Sequence, residues 1–171
     1  MNLFLLLFML LGISQADNGI KNVSKYKPST AGSLHMNDPL EGIWKMKEDT
    51  DTHNYFVLQK DKEERKFIIT YMNRSGDNRG LEHGGLYFMD VKGTTYIACS
   101  NWIWEKPGYF FMKVTEVGKF KLTAQLVVDT NIYKMKSDNE MRAHFEKNAT
   151  NNAFVGEPVH FVKKFTFNDW K

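Results

Sequence analysis

Between Glu41 and Phe165 the chain breaks into short apolar-rich runs separated by polar, Gly-bearing stretches. In Phe120-Lys121-Leu122-Thr123-Ala124-Gln125-Leu126 every second residue is apolar, which is the pattern of a strand with one dry face and one wet face. Eight runs dense in β-branched and aromatic residues fit strands: 42–48, 54–60, 66–72, 85–91, 94–100, 109–117, 120–128 and 159–165. Leu86-Tyr87-Phe88-Met89 and Tyr109-Phe110-Phe111-Met112 carry bulky apolar groups on both faces, so these two strands are expected to be covered on both sides. Val91-Lys92-Gly93-Thr94 and Val117-Gly118-Lys119 each place Gly in a tight connection, where a positive φ costs it little, so adjacent runs pair antiparallel. Asp61 to Arg65 closes another pair with a charged loop, and 73–83 and 101–108 are longer connections.

One helix interrupts the strands. Ser137-Asp138-Asn139-Glu140 reads as a capping box in which Ser137 and Glu140 satisfy each other's free amides, and the helix ends near Lys147. Met141 and Phe145, four apart, share one face and form a narrow apolar stripe, which favours packing against a sheet over a lid across a barrel mouth. The predicted fold is mainly β: an antiparallel up-and-down barrel or strongly curled sheet of about eight strands, with one short helix before the last strand.

Upstream the pattern changes. Met1 to Ala16 carries no charged side chain and ends in Ser14-Gln15-Ala16, which reads as an export signal cleaved after Ala16. Its apolar run from Leu3 to Leu11 is far short of the roughly 20 residues that span a bilayer, and no second such run follows. The expectation is an exported protein, secreted or periplasmic, without stable membrane insertion. Residues 17–39 are rich in Asn, Ser, Lys, Gly and Pro without apolar period and read as a flexible lead-in, leaving 40–171 as a single barrel-like domain.

Charge removes one class of partner. Lys+Arg 23 against Asp+Glu 20 leaves only +3, and the basic residues are interleaved with acids, as in Asp61-Lys62-Glu63-Glu64-Arg65-Lys66. That is a solvated turn, so no nucleic-acid partner is expected. Cys99 is the single cysteine, so no intramolecular disulfide can form and the core must carry stability; 13 Phe, 7 Tyr and 4 Trp supply it. Three N-x-S/T triplets, at Asn22, Asn73 and Asn148, matter only in a host that glycosylates.

Gly42-Ile43-Trp44, at the head of the first strand, resembles the G-x-W with which lipocalin and related calycin barrels begin. The resemblance implies that Trp44 plugs the closed end of a barrel whose open end takes small apolar molecules. It also implies that Gly42 permits a close approach and that a cation from the final strand, Lys163 or Lys164, lies across the indole. The last third is similar to small uncharacterised exported bacterial proteins in its long hairpin, its S-x-x-E helix with Met141-Arg142 and its Glu157-Pro158-Val159-His160-Phe161.

No reactive constellation emerges. His35, His53, His83, His144 and His160 lack metal-ligand spacing, so no metal site and no cofactor are expected. His83-Gly84-Gly85 has no G-x-S-x-G nucleophile to serve, Asp49, Asp51 and Asp129 read as loop carboxylates, and Cys99 in an apolar strand should have a raised pKa and poor reactivity. The sequence therefore points to non-enzymatic binding of a small apolar molecule by an aromatic wall, for which Trp44, Phe56, Leu58, Phe88, Tyr96, Phe110 and Met112 are the candidates. The alternative is a module with a filled core that meets a protein or envelope partner through an exposed aromatic patch, Trp102, Trp104 and Tyr109.

Overall fold

The structure, a computed structural model, describes residues 39–50, 54–63, 66–73, 82–101 and 108–165. Residues 1–38, which hold the expected export leader and all of the expected lead-in except Pro39, lie outside the described residues, as do Asp51, His53, Trp102 and Trp104; His35 falls within that first stretch.

Eight antiparallel strands close into a barrel in sequence order: β1 (Gly42–Met46), β2 (Asn54–Asp61), β3 (Lys66–Asn73), β4 (Glu82–Val91), β5 (Thr94–Asn101), β6 (Gly108–Val117), β7 (Lys121–Val127) and β8 (Val155–Phe165). Closure is made by β8 pairing with β1, where Trp44 stands opposite Lys163 and Met46 opposite Phe161. It removes the two sheet edges that a strand-rich chain would otherwise present to other chains. Register slips between Ile43 and Trp44, Val114 and Glu116, and Gln125 and Val127 mark the bulges that help a flat ladder curl shut.

The β4–β5 turn is set by Lys92 at φ 50° and Gly93 at φ 77°, the paired left-handed conformation whose twist matches a two-residue hairpin. Gly118 differs from expectation. It has no positive φ, and its amide closes the β6–β7 connection on the Lys121 carbonyl at 2.8 Å. The last strand begins at Val155, earlier than Val159, because Gly156 and Pro158 are tolerated beside the bulge, where Gln125 Nε2 donates to the Gly156 carbonyl at 3.0 Å.

Helix α1 (Asp138–Asn148) lies between β7 and β8 in sequence and packs on the outer wall. Ser137 Oγ accepts from the Glu140 amide at 3.2 Å, as a cap should. The reciprocal half is shifted by one residue: Glu140 Oε2 accepts from the amide of Lys136 at 2.9 Å instead of that of Ser137.

Two apolar layers result. The inner one fills the barrel with residues such as Trp44, Phe67, Leu86, Phe88, Ile97 and Phe110. The outer one lies between α1 and the convex face of β4 to β7, and contains Met89, Val91, Tyr96, Phe111, Val127, Met141, Phe145 and Phe154. This second layer explains the doubly apolar runs in β4 and β6: Phe88 and Phe110 face in, while Met89 and Phe111 face out beneath the helix.

Candidate functional site

One end of the barrel is sealed by the first residues of β1. Trp44 is 1% exposed, and its Nε1 donates to the Leu40 carbonyl at 2.7 Å, which folds the incoming chain over the indole. Lys163 Nζ stands 4.9 Å from the ring centroid and donates to the carbonyls of Pro39 and Glu41, the latter at 2.8 Å. A cation over an indole contributes about 0.5 to 2 kcal/mol, more as water is excluded. Burial pulls the ammonium's pKa down, with Glu41 opposing and Lys119 and Lys60 adding to the fall. Of the two lysines proposed from sequence, Lys163 therefore takes the position over Trp44. Gly42 is required here: at φ 137° it occupies a conformation other residues avoid, and a Cβ would lie 2.6 Å from the Phe165 carbonyl oxygen.

Beside the plug, the interior keeps a cavity of about 40 Å³ to which every strand contributes. β1 supplies Trp44, β2 Phe56 and Leu58, β3 Ile69 and β4 Leu86. Across from them stand Ile97 and Cys99 of β5, Phe110 and Met112 of β6, Leu122 of β7 and Phe161 of β8. Phe56 meets Phe161 edge to face at 6.0 Å, fixing one side of the wall across the β8–β1–β2 closure. No polar atom lines the space, so it offers neither hydrogen bonds nor charge to an occupant.

Five of the seven sequence candidates, Trp44, Phe56, Leu58, Phe110 and Met112, come together on this cavity. Phe88 faces inward but packs away from it, against Phe67 at 5.9 Å. Tyr96 is on the other side of the wall. Its ring meets Phe145 of the helix at 4.8 Å in the outer layer, and its hydroxyl is buried there with no hydrogen-bond partner among the described residues. The register explains the placement: Phe88 pairs with Ile97 and Met89 with Tyr96, so an inward Phe88 turns Tyr96 outward. That two-residue hairpin was the available signal for Ile97 and Cys99, both of which a search for aromatic residues passes over.

Cys99 is the one titratable group on the cavity wall. Burial pushes its thiol up to about 12, so at neutral pH it is a small apolar surface and not a nucleophile. The described polar clusters lie elsewhere. His144 Nε2 meets Asp129 Oδ2 at 2.6 Å and ties α1 to the end of β7, and Asn148 Nδ2 donates to the His144 carbonyl at 2.9 Å. His160 Nδ1 lies 3.2 Å from Thr123 Oγ1, which also reaches Glu116 at 3.2 Å, on the convex wall. At the end opposite the plug, Asn54 Nδ2 donates to Asp49 Oδ2 at 3.1 Å, anchoring the β1–β2 connection. Among the described residues, no three His, Cys, Asp or Glu side chains gather where they could hold a metal ion.

What the fold and the cavity define is a closed eight-stranded antiparallel barrel with an apolar interior. Comparison of the chain with family models, with curated proteins and with solved structures gave no match.

Proposed function

We propose that this chain is an exported, non-enzymatic binding protein that holds a small apolar molecule inside a lipocalin-like barrel. The observation that supports it is the cavity: a space bounded by all eight strands, lined only by apolar atoms, next to an end sealed by Trp44 and Lys163. A dry apolar cavity favours an apolar occupant because a water placed there would find no partner.

Size narrows the ligand. A volume of about 40 Å³ is far below that of a drug-sized site, roughly 300 to 1,000 Å³. In this conformation the cavity admits a molecule of very few heavy atoms; a larger one enters when Met112, the most adaptable side chain on the wall, changes rotamer. Each 100 Å² of apolar ligand surface hidden contributes about 2.5 kcal/mol before ordering costs, so useful affinity requires that expansion.

The same small volume favours a second reading, a filled barrel that works through its exterior. Tyr109, one member of the proposed aromatic patch, argues against a patch there: it is half-buried and lies against Tyr87 at 6.0 Å. Native mass spectrometry and organic extraction of the purified protein separate the two readings. A co-purifying apolar molecule, displaced by an added apolar probe, is the result expected; bare protein that also fails to bind the probe overturns the carrier reading. Export is tested by sequencing the amino terminus of protein recovered outside the cytoplasm, with Asp17 expected as the first residue.

A further inference from the structure

The plugged end of the barrel also carries the two large apolar side chains that stand exposed among the described residues. Phe120 is 53% exposed and Phe165 46%. Phe120 lies in the β6–β7 connection, and its carbonyl accepts from the Lys163 amide at 3.0 Å. Phe165 is two residues further along β8, roughly 7 Å of strand, opposite Ile43. Leu122 and Lys163 point inward, so Phe120 and Phe165 share their parity but stand beyond the plug, at the rim.

Lysines flank these rings along the chain. Lys119 Nζ is 5.1 Å from the Phe120 centroid, and Lys119, Lys121 and Lys164 are all exposed. The nearest acid on β1's side, Glu41, is 4.0 Å from Lys60. The other described acids of this end include Asp61 and Glu63 on the β2–β3 hairpin, where Asp61 pairs with Lys66 at 3.9 Å, Asp90 at the end of β4, which accepts from Thr95 Oγ1 at 2.7 Å, and Glu116 near the end of β6, which accepts from Thr123 Oγ1 at 3.2 Å. The corner made by β6, β7 and β8 thus presents two phenyl rings with three exposed lysines, Lys119, Lys121 and Lys164, against one exposed acid, Glu116, although the chain as a whole carries only +3.

Neither feature is explained by stability. Exposed rings gain nothing from water, and like charges repel. A soluble anion would engage the lysines and leave the rings idle, whereas an anionic bilayer engages both. We propose that this rim is a peripheral docking surface for a bilayer carrying anionic headgroups, with Phe120 and Phe165 entering the boundary between headgroups and acyl chains and Lys119, Lys121 and Lys164 meeting the phosphates. Docking in this way places no strand across the membrane, and it uses none of the residues that line the cavity, so it stands or falls apart from the carrier reading.

The test is flotation of the full chain with phosphatidylcholine vesicles, with and without roughly one phosphatidylglycerol in three. The Phe120→Ser/Phe165→Ser and Lys119→Glu/Lys121→Glu/Lys164→Glu variants are run beside it with the same amino terminus, so that any contribution of the leader is common to all. Partition onto anionic vesicles should exceed that onto neutral ones by about tenfold, weaken with added salt, and fall at least about fivefold in each variant. Equal partition onto both vesicles, or a serine variant that floats like the wild type, overturns the proposal. So does binding of dextran sulfate that depends on the lysines but not the rings, when vesicle binding shows the same pattern. Circular dichroism and the thermal midpoint check that the variants fold. Should the serine variant unfold, Phe120→Trp replaces it: quenching of its fluorescence by brominated acyl chains is expected, and its absence contradicts the proposal.

Discussion

The inner and outer apolar layers are built from the same strands yet are held in different ways. Inside, aliphatic and aromatic side chains converge from eight directions and leave a gap beneath Trp44. Outside, Phe145 is locked edge to face by Tyr96, Phe111 and Phe154 at 4.8, 5.0 and 5.2 Å, and polar clasps fix the helix that carries it. Lys113 Nζ donates to the Ala149 carbonyl at 3.0 Å at the C-terminal end of α1, where a cation is favoured, and His144 holds Asp129. The outer layer is a structural buttress that stiffens one side of the barrel. The inner layer combines an apolar lining with spare volume, and the proposed binding function rests on that combination.

Two truncations should break this symmetry most visibly. Phe145→Ala removes a fully buried ring from the outer layer and should cost about 3 to 5 kcal/mol in denaturant unfolding, with the apolar-probe affinity of the folded protein unchanged. Leu58→Ala, on the cavity wall, should cost about 2 to 5 kcal/mol but tighten binding of the same probe by enlarging its site. A tighter probe in the Phe145 variant would show that the layers are not separate.

Gly42→Ala comes next. The positive φ and the close Phe165 carbonyl predict a loss of about 1 to 3 kcal/mol, read as a lower unfolding midpoint without a change in helix content.

Acid sharpens the outer half of the comparison. Burial tends to raise the Asp129 pKa, but the Asn131 amide, at 2.8 Å, and the His144 ring outweigh it and hold the carboxyl below its ordinary 3.8. A native pKa below the unfolded one means that the carboxylate stabilises the fold above 3.8, and that this contribution disappears as the pH falls through the native value. Asp129→Asn should therefore flatten the stability profile in that acid window. An unaltered acid limb would remove Asp129 from the clasp.

The smallest effect is expected at Tyr96, whose buried hydroxyl lacks a partner among the described residues and whose pKa burial raises. Tyr96→Phe should be neutral or stabilising by up to about 1 kcal/mol in thermal unfolding. A marked loss would reveal a partner for the hydroxyl.

Period and turn chemistry made much of this legible in the sequence. Alternation in 120–126 and the Lys92-Gly93 turn marked the wall and its antiparallel pairing, the Ser137 cap marked the helix, and Trp44 with Gly42 marked the plugged end. Burial phase was harder to read where both faces are apolar: Tyr96-Ile97-Ala98-Cys99 is buried throughout and has no polar face to orient it. Only pairing with β4, carried through the two-residue turn, settles that Cys99 and Ile97 face in. The amount of space inside was not legible at all, because it depends on how side chains from eight strands meet, and no local pattern encodes that sum.

The most direct test of the central claim is a xenon titration followed by methyl NMR, since one atom of that size suits a dry cavity of about 40 Å³. The account predicts saturable shifts of the methyls of Leu58, Ile69, Ile97 and Leu122, with those of Val127, Ile132 and Met141 in the outer layer unmoved. No saturable shift in the first group, or equal shifts in both, would contradict it.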